Sequence, residues 1–160
     1  MNMENDRIES DITIAASAER VWAILTNPEH IGTWFGIGSP IAIDLRPGGE
    51  MVLNHGKNGR YRTVFVEVDP PRRLSFRWAE GYPDVRATEA SSTLVEFTIA
   101  EISELETRLA VVESGFATLV VPEDRGWISF ESHSKGWPDI LAKAAGYAEG
   151  RDVTPIMSPE

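Results

Sequence analysis

The chain has 160 residues, 42% of them hydrophobic, and carries 25 acidic against 15 basic side chains for a formal net charge of −10. That length suits one domain, able to bury roughly two-thirds of its surface without disulfides or a structural metal, and the composition excludes whole-chain disorder. The acidity, with only Lys57, Lys135 and Lys143 as lysines, argues against nucleic-acid and anionic-membrane partners, and the lack of cysteine excludes thiol chemistry.

No apolar run approaches the roughly 20 residues of a membrane span, and residues 1–9 are polar and acidic, unlike a secretory signal. A cytoplasmic location is expected.

Ile8, Ser10, Ile12 and Ile14 share a face at period two, which predicts a first strand. Ser17 suits an N-cap, and residues 18–26 place Val21, Ile24 and Leu25 at helical spacing. Asn27-Pro28 ends that helix and starts a second one through His30 and Trp34, stopping near Gly36 to Gly38.

Residues 40–114 alternate strand and turn. Ile41, Ile43 and Leu45 alternate before the Pro47-Gly48-Gly49 turn; strands follow over 51–55 and 60–68. Asp69-Pro70-Pro71 breaks the ladder ahead of Leu74, Phe76 and Trp78. After a longer loop over 80–91, strands over 93–100 and 106–114 complete a meander. Links this short favour antiparallel pairing.

Trp127, Phe130, Ser134, Trp137, Leu141, Ala144 and Ala148 recur at spacings of three and four, one stripe of a helix running from about Pro122 to Gly150. Such a helix of about 26 residues would be about 39 Å long. Pro138 predicts a kink or one-turn break around Gly136-Trp137-Pro138. Residues 1–150 are expected to form one domain and 151–160 a poorly ordered tail.

The expected fold is α+β: a curved antiparallel seven-stranded sheet around a long C-terminal helix, with two short helices after the first strand. The sheet has one apolar face to cover, and only the last helix is long enough to do so.

Several ordered motifs carry a resemblance. Ala18-Glu19-Arg20-Val21-Trp22, Trp34-Phe35, Asp44-Leu45-Arg46-Pro47-Gly48-Gly49-Glu50 and Asp69-Pro70-Pro71-Arg72-Arg73-Leu74 come first. Thr93-Leu94-Val95, Glu106-Thr107-Arg108-Leu109, Glu113-Ser114-Gly115-Phe116 and Gly136-Trp137 continue the series. In this order, over nearly the full length, the chain resembles the activator-of-heat-shock-protein-90-ATPase homologue family of the START-like (SRPBCC) helix-grip superfamily. The resemblance implies the fold argued above and an internal cavity between sheet and helix, which in several relatives binds apolar or amphipathic small molecules. The eukaryotic co-chaperone of that family has a separate N-terminal domain, whereas this sequence opens on the first strand, so a chaperone partner is not expected.

Catalytic motifs are sparse. His30, His55 and His133 lack metal-ligand spacing, and no metal or cofactor is expected; Glu131 and His133, two apart, fall on different helix faces. Solvated histidines are the favoured reading. No Gly-x-Ser-x-Gly elbow or phosphate loop occurs. Glu113 shares its strand face with Leu109 and Val111, so it either serves as an acid, base or polar anchor at a cavity edge, or is a strand-end residue that faces water or pairs with an arginine such as Arg62 or Arg108. The second alternative is favoured.

The candidate ligand-binding set is Trp34 and Phe35 as a lid, Phe76, Trp78, Val95 and Phe97 on the strands, and Trp127, Phe130, Trp137 and Leu141 on the helix, with Glu113 as the polar member. Three functions compete. The first is binding of a small hydrophobic molecule. The second is an enzyme resembling the aromatase/cyclases and hydrolases of the superfamily, with Glu113 as acid–base group and His55 or His133 as helper. The third is a stress-response interaction module, homodimeric or chaperone-bound, using the outer sheet face and the 80–91 loop.

Overall fold

The computed structural model describes residues 6–35, 42–54, 59–79, 81–126 and 128–151. Its order is β1 (Arg7–Ile14), α1 (Ala18–Thr26), α2 (Pro28–Trp34), β2 (Ala42–Ile43), β3 (Glu50–Asn54), β4 (Arg60–Asp69), β5 (Arg73–Trp78), β6 (Thr93–Ser103), β7 (Glu106–Ser114) and α3 (Phe130–Ala148). The strands form one antiparallel sheet in the order β1-β7-β6-β5-β4-β3-β2. This is the helix-grip α+β architecture anticipated from the sequence.

Both N-terminal helices start as their sequences dictate. The Ser17 side chain accepts from the Arg20 N–H, and the Asn27 side chain accepts from the Glu29 N–H with Pro28 in the first turn. Of the predicted strand at 41–45, Ile41 lies outside the described residues, Ala42–Ile43 form β2, and Leu45 is exposed beyond it. Gly48 adopts φ +83°, and a Cβ on Gly49 would lie 2.1 Å from the Asp44 carbonyl oxygen. Chain reversal therefore excludes side chains at both positions. Nearby, Glu50 accepts from Arg62 at 2.9 and 3.1 Å and from Arg86 at 3.1 Å, tying the β3–β4 hairpin to the loop that follows β5.

Strand parity sorts the core. Leu109 and Val111 on β7, Val95, Phe97 and Ile99 on β6, and Tyr61 and Phe65 on β4 are buried, and α3 lays Trp137, Leu141, Ala144, Ala145 and Ala148 against them. Each large aliphatic chain so buried contributes roughly 1.5–3 kcal/mol relative to exposure.

Two expectations about the last helix are corrected. It begins at Phe130 because Ser129 and Ser132 cap each other's backbone N–H groups, at 3.1 and 2.9 Å. Residues Glu123–Arg125 form a separate 3₁₀ turn. Nineteen residues make α3 about 28 Å long. The helix also runs through Pro138, on its exposed side, without the one-turn break that was one of the two alternatives there. Gly150, at φ +88°, ends it as expected, with its N–H bonded to the Tyr147 carbonyl and the Arg151 N–H to that of Gly146. The expected tail beyond Arg151 lies outside the described residues.

Candidate functional site

Antiparallel register sets Glu113 beside Ile8 on one side and Val95 on the other, on the sheet face that looks at α3. It is fully buried. A carboxylate there is tolerable only if hydrogen bonds replace its water, and three side chains supply them. The Thr93 hydroxyl donates to Oε2 at 2.6 Å, and the Trp137 indole N–H donates to Oε1 at 2.8 Å. His133 Nδ1 lies 2.8 Å from Oε1 and 2.9 Å from Oε2. A carboxylate only accepts, so Nδ1 carries the proton of this contact.

The local sequence explains the convergence. His133 and Trp137 are four apart and share a face of α3. Thr93 opens β6 and, like Glu113, has an inward side chain. Gly115, at φ +96°, turns the chain immediately after β7 and brings Phe116 edge-on to the His133 ring, with centroids 5.5 Å apart and planes at 89°. Phe130 meets Phe116 at 5.6 Å, and the Trp137 ring stands edge-on to Phe97 at 5.8 Å. The imidazole is therefore held by the Glu113 carboxyl group and by the Phe116 ring, which Phe130 backs.

Thr93 and His133 also belong to the wall of a cavity of about 10 Å³, room for one water. Ser91 completes its polar side, while Trp78, Leu119, Val120, Val121 and Ile128 form its apolar side. The Tyr82 hydroxyl donates to the Val120 carbonyl and anchors that wall.

Two sequence expectations are overturned here. Glu113 neither faces water nor pairs with arginine: Arg62 is taken by Glu50 and Arg108 by Asp11 at 2.7 Å. His133 is not solvated, since its side chain keeps only 14% of its exposure. The glutamate anticipated as an acid–base or anchoring group does meet one of its two suggested helpers; the other, His55, lies outside the described residues, as does Trp127.

Of the anticipated ligand set, Trp78 lines the cavity, Glu113 stands one hydrogen bond behind it through Thr93 and His133, and Trp137 one bond further, on Glu113. Trp34 is core rather than lid: it is 3% exposed, and its indole N–H caps the Ile24 carbonyl at 2.8 Å. Phe35 and Phe76 stack edge-on around Trp78 at 6.0 and 6.4 Å. Phe76, Val95, Phe97 and Leu141 are buried in the core cluster, and Phe130 packs against its margin. Missed were Ser91, Thr93 and the wall from Leu119 to Val121, and His133 was named as a helper of Glu113 but not as a ligand-binding residue. The spacing of His133 four residues before Trp137 was the available signal.

Glu50 has the clearest electrostatic perturbation. The hydrogen bond from Arg62 holds its carboxyl below the ordinary carboxylate value; burial opposes this, and the charges of Arg62 and Arg86 add to it. Reciprocally, Glu50 raises Arg62. Among the described residues no three acidic or histidine side chains converge as metal ligands, and no helix is long and apolar enough to cross a membrane.

Residues 15–149 match the family model for "Activator of Hsp90 ATPase homolog 1-like protein". No curated protein matches the chain. Among solved structures, DynU16, from the dynemicin biosynthetic locus, is 23% identical with a TM-score of 0.67; 91% of this chain covers 48% of DynU16, about half its length. CalU16 of Micromonospora echinospora is 22% identical with a TM-score of 0.63, covering 90% of this chain and 76% of that one. Aha1 of Colwellia psychrerythraea, solved in solution as a dimer, is 17% identical with a TM-score of 0.62, covering 90% of this chain and 96% of that one. At these identities the likeness shows the fold.

Proposed function

For a chain that belongs to the activator of Hsp90 ATPase homolog 1-like family, we propose binding of a small, largely apolar molecule between the sheet and α3, with its polar end at Thr93 and His133. The observation that supports this reading is the sharing of one wall: His133 belongs both to the buried Glu113 network and to the mixed apolar and polar cavity beside it. Ligand sites typically join apolar walls to a few placed polar groups in this way.

A cavity of about 10 Å³ takes one water, so a ligand enters by displacing the wall of Leu119, Val120 and Val121. Val120 is 69% exposed, so the movement exposes little further apolar surface there, but it must break the Tyr82–Val120 hydrogen bond and strain the packing of Phe116 on Phe130. Thermal-shift screening against aromatic metabolites, polyketides and lipids tests the reading. A ligand at about 100 times its Kd adds about 2.7 kcal/mol of stability. Stabilisation by an aromatic ligand that is lost in Val121→Trp supports the site; a panel without stabilising compounds, or ligands indifferent to Val121→Trp, overturns it.

The 2.8 Å contact between Glu113 and His133 favours a second reading, in which the same cavity supports proton transfer on its ligand, as in a cyclase or hydrolase. Turnover abolished by His133→Phe would support it. Homodimerisation remains a separate proposal, motivated by the Colwellia dimer and tested by light scattering.

A further inference from the structure

We propose that Tyr82 is the gate residue of the cavity: its hydroxyl latches residues 119–122 across the cavity mouth, and a ligand enters where that latch opens. This rests on the cavity reading above and assigns its entrance.

The two sides of the mouth differ in how they are held. Tyr82 stands on a fixed post. Its N–H bonds to the Ala79 carbonyl at 3.1 Å, and its own carbonyl accepts from the Val85 N–H at 3.3 Å, making a turn just after β5. Further along, the Asp84 N–H bonds to the Arg60 carbonyl at 2.7 Å, and the Asp84 side chain accepts from the Arg60 N–H at 3.1 Å. The Ala87 N–H bonds to the Arg62 carbonyl at 3.1 Å. These bonds fasten the loop to β4, an interior strand of the sheet.

The facing segment is rooted only at its ends. Before it, Asp6 accepts from the Gly115 N–H at 3.1 Å and, through its side chain, from the Ala117 N–H at 2.8 Å. After it, the Glu123–Arg125 turn closes on itself, with the Arg125 N–H bonded to the Pro122 carbonyl at 2.9 Å. The Leu119 N–H likewise turns back, to the Phe116 carbonyl at 3.2 Å. Among the described residues, 119–122 make one hydrogen bond to a part of the chain outside this strap: the Tyr82 hydroxyl donates to the Val120 carbonyl.

The seam between post and strap is the mouth. A Cβ on Gly81 would lie 3.4 Å from the Pro122 ring and 3.8 Å from Ile128 Cδ1, so the two sides touch with no side chain between them. Gly81 on the post and Leu119, Val120 and Val121 on the strap all line the cavity. With room for one water in about 10 Å³, a larger occupant requires 119–122 to move outward and the Tyr82–Val120 bond to be broken in the bound state. The bond therefore favours the closed, empty form and opposes binding. Removing a hydroxyl bond of ordinary strength raises the open population about 2–10-fold.

Tyr82→Phe removes the hydroxyl and keeps the ring. In the free variant, hydrogen–deuterium exchange should quicken over 116–126 and stay unchanged over β6 and β7. Uptake of N-phenyl-1-naphthylamine, a neutral apolar dye, is followed by stopped-flow fluorescence. It should be about 2–10-fold faster in the variant with the off-rate unchanged, so that the variant binds the dye more tightly than wild type. A tyrosine that touched the ligand, or that only supported the fold, would instead give weaker or unchanged binding on removal.

Exchange that is unaltered over 116–126, or quickened everywhere, overturns the latch, as does uptake no faster in the variant. In those cases dye binding that disappears in Val121→Trp leaves the cavity reading intact. A wild type that takes up no dye, or takes it up regardless of Val121→Trp, overturns the cavity reading and the gate together, whatever the exchange pattern.

Discussion

Truncating Glu113 to alanine tests the energetics of the buried network most directly. The substitution leaves the donors of Thr93, Trp137 and His133 without their acceptor. Thr93 and Trp137 are 1% and 8% exposed, too deep for bulk water to take over. At about 1–3 kcal/mol per buried orphaned group, those two give roughly 2–6 kcal/mol. His133 adds less because its ring retains 14% exposure. A loss of about 3–5 kcal/mol is therefore expected, in the range for breaking a buried pair from one side. That is a large share of a typical total of about 5–15 kcal/mol, and it lowers Tm by roughly 10 °C or more. Urea unfolding followed by tryptophan fluorescence measures it. Glu113→Gln preserves shape and part of the bonding and should lose only about 1 kcal/mol. In the double variant with Trp137→Phe, which removes one donor, the Ala substitution should cost less than it does alone. A loss below about 1 kcal/mol for Glu113→Ala would refute the claim that these donors depend on the carboxylate.

Three further outcomes are expected. Leu141→Ala, at a position 1% exposed in the middle of α3, should lose about 3 kcal/mol in the same unfolding assay. Gly49→Ala should lose roughly 2–4 kcal/mol, because its Cβ meets the Asp44 carbonyl oxygen at 2.1 Å and the backbone must shift; a neutral result in calorimetry would contradict that close approach. Because the folded-state carboxyl of Glu50 lies below the ordinary value of 4.5, its stabilising contribution is full above that value and disappears as pH falls through the lowered one. The stability gap between wild type and Glu50→Gln should therefore be constant near neutrality and close in acid, as followed by urea titrations across pH.

The strands and the two short helices were legible because each obeys a single local rule: period two for Ile8 to Ile14, and a capping side chain before residues 18 and 28. The same parity put Glu113 on the face of Leu109 and Val111, although the favoured reading had it meeting water or an arginine. Parity did not supply its partners, because they sit on elements far apart in sequence. Strand parity supplies the side to which a carboxylate points but says nothing of which helix turn lies opposite. His133 was offered as a helper of Glu113 but stayed out of the ligand-binding set for a related reason: the apolar stripe was drawn through Ser134, and a polar residue at its edge carries no hydrophobic signal. The early start assigned to α3 came from Pro122, a sound first-turn residue that the Ser129 and Ser132 caps overrode. Trp34 looked like a lid because aromatic rings in cores and in pockets have the same sequence appearance; its indole bond to Ile24 separates them.

The position of β1 bears on how the chain is made. Its neighbour in the sheet is β7, the last strand, and the Ala15 N–H is received by Glu149 at a sequence separation of 134. His30 likewise meets Tyr147 across 117 residues. During synthesis the first strand and its two helices therefore emerge long before anything can cover them. Their apolar sides await a partner on the ribosome, and closure of the domain falls to its last helix, α3.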